Sequence, residues 1–355
     1  MRQLQNSFLR LGGSFFVCSW IVQNLDKYAA YTGEDKEGFA MIEIQNISKR
    51  YGAKYAVKDV TFTIPRGEIL GFLGRNGAGK TTTMNIVTGY ISSSAGRVLL
   101  DGHDILEEPQ LVKRHIGYLP EHPPLYLDMT VQEYLSFVCD IKDVRKHSQK
   151  PHIDDICELV KVVDVRHRLI KNLSKGYRQR VGLAQALVGN PDIIILDEPT
   201  VGLDPRQIIE IRNLIKDLGK DHTVVLSSHI LHEVSDVCER VVIINQGQIV
   251  AQDTLTNLRM GVDEVMRLNV RIAGDTKRAF RVLRDVGGVH DVEQQVSKEE
   301  GSMDFTVECD RGMDVRKQMF NQIGAAGMHI MMLQNAAPTL EDIFLELTQD
   351  KEAVI

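Results

Sequence analysis

The chain has little cysteine, no excess of positive charge and no long apolar run. Its five cysteines, Cys18, Cys139, Cys157, Cys238 and Cys309, are odd in number and scattered, with no C-x-x-C pair. That excludes a disulfide framework or a zinc site of the usual spacing and fits a reducing cytosol. Basic residues number 42 against 48 acidic ones, a net charge of −6, so no nucleic-acid partner is expected. No apolar run reaches about 18 residues, so no transmembrane helix is expected. The most apolar early stretch, residues 15–22, follows Arg2 and Arg10 and weakly resembles a signal peptide. Residues 1–40 are read instead as an N-terminal extension, or as an upstream start ahead of Met41. From Met41 the chain reads at once like a domain.

What is present is ordinary globular material: 355 residues, 43% hydrophobic and 25% charged, which suits two domains. Strand-like alternation at 41–47 and 56–64 precedes the apolar run 68–73. Then comes Gly74-Arg75-Asn76-Gly77-Ala78-Gly79-Lys80-Thr81, followed by Thr82 and a helix-compatible stretch. This fits G-x-x-x-x-G-K-[ST] between a strand and a helix, the context a phosphate-binding loop requires. Glycines let the backbone turn its N–H groups toward one anion, and the helix adds its positive N-terminal end. Lys80 is placed to reach the β- and γ-phosphates, and Thr81 to offer a hydroxyl to Mg²⁺.

A second element is Ile193-Ile194-Ile195-Leu196-Asp197-Glu198. Four apolar residues of a buried parallel strand end in two acids. Asp197 would hold Mg²⁺, through water, and Glu198 would polarise an attacking water. Adjacent strand residues point to opposite sides, but this pair sits where the strand ends, so both can face the site. Strands and helices alternate to about residue 250, implying an α/β domain with a mainly parallel sheet. Beyond about 262 the order βαββαβ suggests a small split-βαβ domain, followed by a helix after Pro338-Thr339 with Leu340, Ile343, Phe344 and Leu347 on one face. No chemical constellation occurs there, so it is read as a regulatory or docking module.

Between the two phosphate-site elements lies Leu173-Ser174-Lys175-Gly176-Tyr177. Here the chain resembles the ATP-binding subunits of ABC transporters, which carry a signature near L-S-G-G-Q between their two Walker motifs. Further matches stand in the expected order. Tyr51 occupies the place of the aromatic that stacks on adenine, and Glu121 the glutamine-loop position. Pro199–Asp204 matches the loop that crosses the dimer, and His229 the switch histidine that contacts the γ-phosphate. The resemblance covers about 41–250. It implies an ABC-type P-loop NTPase fold of mixed sheet plus helical subdomain over 41–260, with a small α+β accessory domain over 263–355. It also implies ATP and Mg²⁺ as ligands, with Thr81, Asp197 and Glu121 on the metal.

In that family the phosphate loop of one subunit faces the signature of the other, so Ser174 and Gly176 are expected to close over a partner's ATP in a homodimer or a pairing with a similar chain. Three departures stand out: Lys175 for the first signature glycine, Tyr177 for its glutamine, and Glu121 for the loop glutamine. The resemblance is nearest to bacterial ABC-2-type export systems. It implies a separate multi-spanning permease, gripped by the helical insert about 125–170, and a place on the cytoplasmic face of the cell membrane. The rival expectation is a soluble ABC-type ATPase coupled to a non-transport process.

Overall fold

A computed structural model describes residues 41–261, 265–295, 299, 301–310, 313–335 and 340–348. The readings of residues 1–40 and of Pro338-Thr339 lie outside the described residues. The chain divides between Ile249 and Val250 into two compact units.

The first unit holds two sheets. One is antiparallel, built from β1 (Met41–Tyr51), β2 (Lys54–Pro65), β4 (Ala95–Leu100) and β5 (His103–Asp104) in the order β2-β1-β4-β5. The other runs β10-β9-β3-β8-β7-β6, from β3 (Ile69–Leu73), β6 (Ile116–Leu119), β7 (Ile193–Asp197), β8 (Thr223–Ser228), β9 (Arg240–Asn245) and β10 (Gln248–Thr254), the strand within which the division falls. In it β9, β3, β8, β7 and β6 are mutually parallel. All residues of β7 and β8 are buried, as their apolar runs demand of strands covered on both faces.

Helix α1 (Lys80–Val87) leaves the phosphate loop, and its Met84, Ile86 and Val87 join one core with Ile44, Phe62 and Ile64 of the antiparallel sheet and Phe72, Ile195 and Val225 of the parallel one. The loop is thus clamped where both sheets meet. After α2 (Pro109–Arg114), the helical insert comprises α3 (Val131–Ile141) and α4 (Lys146–Leu159); α3 starts at a capping box in which Thr130 and Glu133 satisfy each other's backbone N–H. Helix α5 (Lys175–Leu187) follows, with α6 (Pro205–Leu218) and α7 (Leu231–Val237) between the later strands. Cys139, Cys157 and Cys238 are buried and unbonded here. No helix among the described residues is long and apolar enough to cross a membrane.

The second unit contains α8 (Leu255–Gly261), β11 (Val265–Ala273), α9 (Thr276–Arg284), β12 (Val289–Gln295), β13 (Ser302–Asp310), α10 (Arg316–Ala325), β14 (His329–Asn335) and α11 (Leu340–Thr348). Its antiparallel sheet has the order β12-β13-β11-β14. Phe305, Val307 and Cys309 of β13 are buried against Leu283 of α9 and Met319 of α10, while Asp304, Thr306 and Glu308 alternate with them. The βαββαβ order read from alternation is the order found.

Candidate nucleotide site

Four neighbouring parallel strands deliver the site. Because β3, β8, β7 and β6 run the same way side by side, their carboxyl ends share one edge. Ligands bind at that edge of open α/β sheets. The phosphate loop leaves β3, His229 follows β8, Asp197 ends β7 and Glu121 lies two residues beyond β6. Asn76, Gly77, Gly79, Lys80, Thr81, Thr82, Glu121, Glu198 and His229 line one cavity of about 380 Å³, together with Ala56 and Val201.

The loop's geometry depends on glycine. Gly79 has φ 112°, and a Cβ there would lie 2.7 Å from the carbonyl oxygen of Ala56. At Gly74 a Cβ would come within 2.7 Å of the Ile244 carbonyl oxygen. Neither backbone oxygen can yield cheaply, so the turn and its close approach to neighbouring strands exclude any side chain.

Lys80 is buried and donates from Nζ to the Gly74 carbonyl at 2.8 Å. Its charge is met by Glu198 Oε1 at 3.2 Å, an ion pair without hydrogen-bond geometry. The other carboxylate oxygen, Oε2, accepts from His229 Nδ1 at 2.8 Å. Glu198 adopts φ 49°, the left-handed region, directly after the last strand residue, and its N–H still bonds the Ser227 carbonyl. That turn breaks the alternation of the strand. The strained conformation costs on the order of 1–3 kcal/mol.

Asp197 is fully buried beneath Glu198, with Oδ1 accepting from Ser227 and a further hydrogen bond from Thr81. Burial pushes its carboxyl above the usual range, and the charges of Glu198 and Glu121 add to this, against the pull of the Ser227 and Thr81 hydroxyls. Its Oδ2 is buried without a hydrogen-bond partner among the described residues. No cluster of three or more His, Cys, Asp or Glu side chains among the described residues is arranged there to cage a metal. An orphaned carboxylate oxygen with the Thr81 hydroxyl and the Glu121 carboxylate suits a hard, oxygen-seeking cation bound by few protein ligands.

The remaining sequence-derived residues lie off the cavity lining. Gly74, Arg75 and Ala78 shape the loop from behind, and the Arg75 carbonyl accepts from the Ala78 N–H. Tyr51 is 55% exposed at the end of β1, with the Lys49 ammonium 5.5 Å from its ring centroid. Ser174 caps α5, accepting from the Tyr177 N–H at 3.4 Å. Gly176 is buried against Gln207, whose side-chain oxygen would stand 2.5 Å from a Cβ. Of the departures in the signature, Tyr177 donates its hydroxyl to Asp164 at 2.7 Å, and the Lys175 side chain lies across Gly202. Val201 of the cavity lining belongs to the Pro199–Asp204 segment matched to the loop that crosses the dimer, whereas Ala56 carries no site role in the sequence reading. Ala56 reaches the cavity from β2, and no local spacing signals that approach.

Residues 57–201 match the ABC transporter family. The chain is 31% identical over 311 residues to the linearmycin resistance ATP-binding protein LnrL of Bacillus subtilis (strain 168), covering 87% of this chain and 98% of that one. It is 29% identical to the bacitracin transport ATP-binding protein BcrA of Bacillus licheniformis, covering 86% and 97%. Among solved structures, the dimeric bacterial ABC transporter cassette MJ0796 is similar at 26% identity with a TM-score of 0.57, over 60% of this chain and 98% of that one. A post-hydrolysis form of that cassette binds ADP and Pi. With a phosphate loop, a buried acid pair and a histidine on one sheet edge, and with these relatives along nearly its whole length, the chain belongs to the family of ABC transporter ATP-binding proteins.

Proposed function

We propose that this chain is the ATP-binding and ATP-hydrolysing subunit of an ABC-2-type export system, acting as a dimer through a separate membrane-spanning permease on the cytoplasmic face of the membrane. The observation that carries the reading is the continuous array Lys80–Glu198–His229 in the phosphate-loop cavity. The names of the relatives, linearmycin resistance and bacitracin transport, support export.

In this reading the β- and γ-phosphates of ATP take over the Lys80 ammonium, now neutralised by Glu198. The freed carboxylate then orients and polarises a water for in-line attack. His229 already donates Nδ1–H to Glu198, which leaves Nε2 for the phosphate side; donating from both nitrogens requires the imidazolium form. Thr81, Asp197 and Glu121 would hold Mg²⁺, which when bound neutralises developing phosphate charge. The ring of Tyr51, already exposed, stacks on adenine. Ser174 and the capped start of α5 close over the γ-phosphate bound by a second copy, excluding water and adding a helix N-terminus to an anion site. Gly176 permits the close approach.

The test is Glu198→Gln. It should keep ATP binding, stop turnover and accumulate an ATP-bound dimer in size-exclusion chromatography. A variant that hydrolyses ATP at the parent rate would overturn the assignment of the base. Affinity purification from solubilised membranes should recover a multi-spanning partner; its absence would favour the soluble-ATPase alternative.

A further inference from the structure

The second unit carries a groove of about 610 Å³ beside α9, with Lys277, Arg281 and Arg284 exposed along its wall. Half-buried Phe280 adds apolar surface to the lining, and Asp285 and, from β12, Gln294 complete it. Two features coincide at this groove.

The first is unspent charge. On the sheet and on α10, Arg267 pairs with Glu308, Arg271 with Asp304 and Glu299, and Arg316 with Asp314. No acidic side chain among the described residues lies at ion-pair distance from Lys277, Arg281 or Arg284. Of the acids at the two ends of their helix, Asp275 is occupied in capping the backbone N–H groups of Lys277 and Arg278, and Asp285, which follows Arg284 and lines the groove, forms no ion pair with the three cations. Three cations concentrated on one face stand out in a chain of net charge −6.

The second is an open edge. Among the described residues β12 pairs only with β13, through Val292↔Val307 and Gln294↔Phe305, and is the outer strand of its sheet. Its other side therefore offers backbone N–H and C=O groups, on a strand that lines the groove at Gln294. An unpaired edge is a template for an added strand.

The two features match in spacing. Lys277 and Arg281 are four residues apart on a helix, about 6 Å of rise. Alternate side chains of an extended strand are about 6.8 Å apart and point to the same face. A strand laid on the β12 edge, with carboxylates at alternate positions toward α9, would meet Lys277 and Arg281 in succession, with Arg284 next along the same wall. Phe280 would contact their methylene groups.

We infer that this groove binds an extended acidic segment of a partner protein by strand addition to β12, with carboxylates at alternate positions read by Lys277, Arg281 and Arg284. The backbone ladder supplies affinity and the cations supply selectivity. Neither depends on the nucleotide chemistry proposed above.

The test uses the full chain and a fluorescein-labelled Glu-Val-Glu-Val-Glu peptide followed by anisotropy. Saturable, salt-sensitive binding is expected, weakened at least tenfold in Arg281→Glu and in Lys277→Glu, with ATPase activity unchanged. Arg281→Gln should weaken it less than Arg281→Glu. Of two peptides N-methylated on the valines or on the inner glutamate, one should bind like the parent and the other at least tenfold more weakly, because only alternate N–H groups face β12. Absence of saturable binding, binding indifferent to charge reversal, or equal binding of both methylated peptides would overturn the inference. So would Arg281-dependent co-sedimentation with phosphatidylglycerol vesicles in the absence of peptide binding, which would assign the cations to lipid.

Discussion

Replacing Glu198 by glutamine tests the site from both sides, because Glu198 is the counter-ion of Lys80 in the nucleotide-free protein and the base in the proposed mechanism. Lys80 Nζ and Glu198 Oε1 are 3.2 Å apart, with side-chain exposures of 6% and 5%. At an effective dielectric of about 20, Coulomb's law gives about 5 kcal/mol for such a pair. Relief of the buried carboxylate's dehydration and the amide oxygen that glutamine keeps offset part of this. The nucleotide-free protein should lose about 1–3 kcal/mol.

With ATP bound, Lys80 is paired to phosphate in parent and variant alike, so the loss should reappear by linkage as tighter ATP binding, roughly 5- to 150-fold. Turnover should fall by about 10²–10⁴-fold, the contribution of a positioned base. Chemical denaturation without nucleotide, titration with a ribose-labelled ATP analogue and phosphate release read the three effects separately. Turnover within about twofold of the parent would refute the role of base. Unchanged apo stability together with unchanged ATP affinity would refute the role of counter-ion.

His229→Ala removes the donor to Glu198 Oε2 and should lower turnover about 10²-fold with ATP affinity little changed, as phosphate release at saturating ATP would show. Gly79→Ala forces a Cβ to within 2.7 Å of the Ala56 carbonyl at φ 112°; ATP binding should be lost in a protein that still unfolds cooperatively, as calorimetry with and without nucleotide would reveal. His152, 1% exposed, accepts the Gly189 N–H at Nε2, and burial pushes its pKa down to about 4. The unfolded state therefore takes the proton first, so this contribution is intact above about pH 6.5 and is lost as pH falls toward about 4, on the order of 3 kcal/mol. His152→Gln, which cannot be protonated, should flatten that part of the stability–pH curve measured by denaturation.

The local elements that carry the candidate site were legible in the sequence. The phosphate loop needs only a strand, a helix and glycines between them, and all are contiguous between Ile69 and Val87. The Ile193–Leu196 run announces a strand covered on both faces, and the βαββαβ order of the second unit follows from alternation and turns. Ser174 as a helix cap follows from its place before α5.

Strand order was not legible. Asp197-Glu198 and His229 lie more than a hundred residues from Lys80, and periodicity says nothing about which strand lies beside which. Packing decided that β8 sits between β3 and β7, and so which side chains share an edge. Nor does sequence reveal that Glu198 turns through a left-handed φ to bring its carboxylate between Lys80 and His229. The sequence by itself determined what each functional segment is able to do, because caps, loops and buried strands are set by neighbours in the chain. Only the tertiary structure decided which segments act together, because burial of apolar strands on both faces fixes the sheet order that joins their ends.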